Sequence, residues 1–145
     1  MKMPLSRFGL AAAIACGAVF YAHAQEGAPA VSTKSGVFTK AQVEEGMQVY
    51  RVNCSEGCHL YHLDGYGKAK PLVGEPFKER WRGKNLAELY ELISVKMPQD
   101  FPATLTPEEY VNVTAYVLSE NGFPAGATAL TGDPAALARI VFADE

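Results

Sequence analysis

Apolar positions recur at helical spacing in three stretches of this chain, and each stretch is bracketed by start and stop signals. Val43, Met47 and Tyr50 share one face behind Thr39, which forms a capping box with Gln42, so a helix is predicted over residues 40–53. Leu86, Leu89, Tyr90 and Ile93 repeat the pattern behind Asn85 and Glu88. This second helix ends before Met97-Pro98, because a proline disfavours helical geometry at the residue preceding it. The third has the clearest signals: Thr106 as cap, Pro107 at the first helical position, Glu109 completing the box and Asn121-Gly122 as the stop. Tyr110, Val113, Val117 and Leu118 form its apolar face, with Tyr116 alongside.

Residues 60–84 show no sustained period, and Gly65, Gly67, Pro71, Gly74, Pro76 and Gly83 punctuate them as a long loop with at most short turns. Loops of that length commonly cover a functional site. No internal repeat and no strand-like alternation is evident. The pattern predicts an all-α domain over residues 39–122. Residues 25–38, rich in Ala, Gly, Ser and Thr, read as a flexible leader, and residues 123–145 as a tail in which Asp133-Pro134 caps a short helix through Ile140. Three helices give a domain of this size a modest core, and a large apolar cofactor would supply what is missing.

The first 24 residues read as targeting rather than fold. Lys2 and Arg7 precede a small apolar run over residues 10–19, and Ala22-His23-Ala24 is a cleavage signal, so a signal peptide and a periplasmic mature protein are expected. An uncleaved anchor and lipidation at Cys16 are the alternatives; the run is too short to span a bilayer. With 48% hydrophobic and 20% charged residues in 145, the chain has a globular composition. Past residue 24 there are 11 cations against 16 acids, a balance of −5 that argues against nucleic-acid binding.

Export leaves two cysteines, in the run Cys54-Ser-Glu-Gly-Cys58-His59. Covalent haem attachment uses C-x-x-C-H, with the thiols on the vinyl groups and the His on the iron. One extra residue separates the cysteines here. On an ideal helix positions i and i+4 still share a face, but the His is rotated by about 100°, and a local bulge at Gly57, which tolerates positive φ, would absorb the residue. Three chemistries are open to the segment. A disulfide needs local distortion, since the Cα separation at i, i+4 lies near the upper end for a bridge, and it leaves His59 without a role. A zinc site would use Cys54, Cys58, His59 and His62, with strain at the adjacent pair. Haem attachment demands a second axial ligand downstream. His62 is too close along the chain, His23 falls in the signal peptide and Met47 reads as core, which leaves Met97, 38 residues after His59.

The motif, together with Trp81-Arg82-Gly83-Lys84, Met97-Pro98, Leu105-Thr106-Pro107-Glu108-Glu109-Tyr110 and the run from Ser119 to Gly126, resembles class I monohaem c-type cytochromes, in particular those associated with PQQ-dependent alcohol dehydrogenases. The resemblance implies a class I cytochrome c-like fold, with about three main helices and long loops around one covalent haem c. It implies that the first and last helices cross near Gly46 and Tyr116, with His59 and Met97 as axial ligands to the iron. It also implies that the Pro71 carbonyl accepts the second N–H of His59 and that Trp81 and Arg82 lie near the propionates. The function it implies is single-electron transfer by a periplasmic carrier, not an enzyme, with a quinoprotein dehydrogenase as donor and an oxidase or another cytochrome as acceptor. The acidic balance suggests docking to a basic surface. The mature form is expected to be monomeric in isolation and free of membrane spans. The rival readings are a haem-based enzyme or sensor with a displaceable Met97, and a non-haem binding module stapled by disulfide or zinc.

Overall fold

The computed structural model describes residues 30–143, so the expected signal peptide, Cys16 and the start of the leader lie outside the described residues. Within it the protein is mostly helical: α1 (Lys40–Asn53), α2 (Gly74–Trp81), α3 (Leu86–Lys96), α4 (Pro107–Glu120) and α5 (Pro134–Ala138). Two short strands, β1 (Val31–Ser32) and β2 (Ile140–Val141), pair in parallel. No helix among the described residues is long and apolar enough to cross a membrane.

The three capping boxes form as the sequence predicts, and each fixes a helix start. The Thr39 hydroxyl accepts from the Gln42 amide at 3.3 Å while the Gln42 side chain accepts from the Thr39 amide at 3.2 Å, and Asn85/Glu88 and Thr106/Glu109 do the same. Helix α4 is central: residues 110–118 are all buried, so neighbours cover it on every side. Helix α1 crosses it at Gly46, where a Cβ would overlap the Asn112 carbonyl and crowd Cβ of Tyr116. This backbone approach brings the rings of Tyr50 and Tyr116 to 5.3 Å.

Three expectations need correction. The stretch read as continuous loop contains α2, whose start has no side-chain cap and carries Pro76, a residue tolerated only in the first turn. Its buried contribution is Phe77 and Trp81, one helical turn apart, too short a pattern to declare a period. The leader, from residue 31 on, belongs to the fold: Thr33 and Phe38 are fully buried, and the Thr33 hydroxyl accepts from the Ala143 amide at 3.2 Å. The tail likewise docks, though its helix stops at Ala138 and Ile140 passes into β2. Gln42, besides closing its cap, donates to the Leu130 carbonyl at 2.9 Å and accepts the Leu130 amide at 2.8 Å, pinning the tail to α1.

Candidate functional site

The end of α1, the loop before α2 and the end of α3 enclose a cavity of about 400 Å³, a volume typical of cofactor sites. Cys54, Cys58, His59, Pro71, Trp81 and Met97, brought from four separate segments, all line it. Leu89 and Val113, from α3 and α4, add apolar wall.

The extra residue between the cysteines is absorbed where the sequence predicts. Glu56 (φ −70°, ψ 125°) and Gly57 (φ 69°, ψ −10°) are the central residues of a type II turn, whose second position requires positive φ. Across the turn the His59 amide donates to the Cys54 carbonyl at 3.1 Å and the Leu60 amide to the Ser55 carbonyl at 2.9 Å. Both are i to i+5 bonds, one residue wider than an α-helical turn, so the insertion is taken up as a π-type turn. The Tyr50 hydroxyl donates to the Leu60 carbonyl at 2.6 Å and anchors its far end. Burial raises the Tyr50 pKa, so the hydroxyl stays protonated.

Cys54 is half-buried and Cys58 exposed, and both are free thiols. Burial, and next the neighbouring Cys58, push the Cys54 thiol up to about 11. His59 is 9% exposed, and burial lowers its pKa against the opposing pull of its backbone hydrogen bond, favouring the neutral ring. Its Nδ1 lies 3.0 Å from the Lys70 carbonyl oxygen. A carbonyl only accepts, so Nδ1 carries the proton and Nε2 keeps its lone pair.

That acceptor corrects the expectation of a Pro71 carbonyl. The proline acts one bond earlier, because its ring restricts the preceding Lys70 to extended conformations and thereby aims the Lys70 carbonyl. The loop is held in turn by Asn121, which donates to the Leu72 carbonyl at 2.8 Å and accepts the Gly74 amide at 3.1 Å. At Met97 the chain turns extended (φ −123°, ψ 148°), and its carbonyl accepts from the Tyr110 hydroxyl at 2.8 Å.

Trp81 lines the cavity, whereas Arg82 does not: it follows the last residue of α2 and faces a different hollow. Arg80 lines the cavity instead, its guanidinium 5.3 Å from the Trp81 ring centre, with Lys68 and Lys70 nearby on the lining. Sequence reading missed Tyr50, Lys70, Arg80 and the clamp by Asn121. Without α2 there was no helix to show which side of the Arg80-Trp81-Arg82 run points inward.

The zinc set is not assembled. Among the described residues no group of three or more His, Cys, Asp and Glu is placed to hold a metal ion, and His62 is exposed, edge-on to the Tyr61 ring at 5.2 Å. No protein-family model, curated protein or solved structure matches the chain.

Proposed function

We propose that this chain is a class I c-type cytochrome, an exported periplasmic electron carrier with one covalently attached haem c. The observation that carries the reading is the meeting, in one cavity, of two free thiols, a histidine with Nδ1–H committed to a carbonyl, and a methionine from a distant segment. The donor set fits the group: Cys54 and Cys58 would hold it by thioethers, and His59 Nε2 and the Met97 thioether would be the donors to its iron. When bound, it supplies a one-electron ferric/ferrous couple. The chain's own contribution is to hold the two donors in place, His59 through the contact of its Nδ1 with the Lys70 carbonyl and Met97 through the Tyr110 hydroxyl on its backbone carbonyl. The Lys70 carbonyl fixes the His59 ring and raises its basicity as a ligand. A thioether ligand favours the ferrous state relative to a second imidazole. Trp81, Leu89 and Val113 give the cavity an apolar wall.

The family resemblance, not the geometry, motivates a PQQ-dependent dehydrogenase as donor and an oxidase or second cytochrome as acceptor. Reduction of the purified protein by such a dehydrogenase during substrate turnover tests the pairing, and absence of any acceleration over a cytochrome-free control contradicts it. Carbon monoxide binding by the native ferrous protein at neutral pH would instead favour the sensor or enzyme reading.

A further inference from the structure

The widened cysteine turn ends on a strained residue. Leu60 stands at φ 60°, ψ 170°, a region that glycine enters freely and that other residues keep only when their surroundings impose it. Its side chain is 36% exposed and stands outside the buried core, so side-chain burial does not impose the conformation. Its backbone contacts do. The Leu60 amide donates to the Ser55 carbonyl at 2.9 Å, inside the turn. The Leu60 carbonyl accepts from the Tyr50 hydroxyl at 2.6 Å and, less closely, from the Leu63 amide at 3.4 Å.

Tyr50 holds both ends of the turn. Its own carbonyl accepts the Cys54 amide at 2.8 Å where the turn begins, and its hydroxyl reaches the carbonyl where the turn ends. The ring between them is fully buried and packs 5.3 Å from that of Tyr116, so the hydroxyl is carried by a fixed side chain. His59 directly precedes Leu60. Relaxation of Leu60 to a negative φ would turn the peptide that joins the two residues, and with it the His59 carbonyl, which accepts the Gly65 amide at 3.1 Å. The His59 ring, whose Nδ1 lies 3.0 Å from the Lys70 carbonyl oxygen, would move with its backbone.

We propose that Tyr50 is a positioning residue for the His59 donor: its hydroxyl holds Leu60 in the positive-φ conformation that closes the widened turn, and thereby sets the His59 ring against the Lys70 carbonyl. The inference rests on the electron-carrier reading and adds to it a residue that tunes the histidine through the backbone. A phenylalanine would fill the same space at the helix crossing without supplying the hold.

The test uses the exported, haem-loaded protein and compares the wild type with Tyr50→Phe, Tyr116→Phe and Tyr50→Phe/Leu60→Gly. Tyr50→Phe removes only the hydroxyl, and Tyr116→Phe removes the one on the facing ring. Hydrogen exchange of the His59 amide, read by NMR in the reduced state, should quicken roughly two- to tenfold in Tyr50→Phe, as expected for one lost hydrogen bond, and stay unchanged in Tyr116→Phe. A looser contact with Lys70 makes His59 a weaker donor, which favours the ferrous state, so the midpoint potential of Tyr50→Phe should shift upward. Adding Leu60→Gly should return both readouts toward the wild type, because glycine keeps the positive φ without the hydroxyl. An unchanged exchange rate or potential in a Tyr50→Phe protein that keeps its haem spectrum, an equal effect of Tyr116→Phe, or no recovery in the double variant overturns the positioning role alone. If Tyr50→Phe does not accumulate, the double variant is expected to accumulate with the wild-type potential, and its absence overturns the role too. A wild-type protein purified without a haem spectrum from a host competent in cytochrome maturation overturns the carrier reading and this inference with it.

Discussion

The Nδ1 nitrogen of His59 and the carbonyl oxygen of Lys70 stand 3.0 Å apart, joining the end of the cysteine turn to the loop that leads into α2. The contact fixes the tautomer, and Pro71 and Asn121 secure the loop that supplies the acceptor. Replacing Asn121 by Ala leaves the Leu72 carbonyl and Gly74 amide without their partner. The expected cost is about 1–3 kcal/mol, read as a lower denaturation midpoint with an unchanged m-value. A loss within a few tenths of a kcal/mol would show that the loop does not depend on this clamp.

Met97→Ala removes the thioether while keeping the extended backbone that Tyr110 holds. The midpoint potential should fall by on the order of 0.1–0.3 V, within the roughly 0.8 V that axial ligation spans, and the ferrous protein should gain carbon monoxide binding. An unchanged visible spectrum and potential would remove Met97 from the ligand set.

Gly46→Ala tests the helix crossing. Its Cβ meets a backbone carbonyl, which cannot rotate away as a side chain does, so α1 and α4 must separate. Destabilisation of about 3 kcal/mol or more is expected in chemical denaturation. A neutral substitution would mean the helices do not approach this closely.

The two thiols should differ in a haem-free protein made without the attachment machinery. With the Cys54 thiol pushed up to about 11, only roughly one molecule in a thousand carries its thiolate at pH 8. Iodoacetamide should therefore modify exposed Cys58 well before Cys54. Because burial opposes the ionised form, the Cys54 rate should rise about tenfold per pH unit until pH approaches 11. Equal rates at pH 8, followed by peptide mass spectrometry, would contradict the placement of Cys54.

Much of this arrangement was legible in the chain. The capping residues Thr39, Asn85 and Thr106 and the apolar faces behind them locate α1, α3 and α4 directly, because each spans several turns. Gly57 could be assigned the insertion because one residue type alone takes positive φ without strain. What stayed hidden depends on tertiary neighbours. Helix α2 buries only Phe77 and Trp81 and has no polar cap, so nothing local marks it. Residues 31–38 look like a leader by composition, yet Phe38 and Thr33 are buried by a tail more than 85 residues away in sequence. The shift of the His59 acceptor from Pro71 to Lys70 is one peptide unit, below the reach of motif reading. Arg80 takes the place expected of Arg82 because the end of α2 decides which side of Trp81 each faces.

A pyridine haemochrome spectrum of the purified, exported protein tests the central claim most directly, since the reduced α-band position reports how many vinyl groups have been saturated. One haem per chain with the two-thioether band is the predicted result, as the π-type turn leaves Cys54 and Cys58 on the same cavity. A colourless protein from a host competent in cytochrome maturation would contradict it.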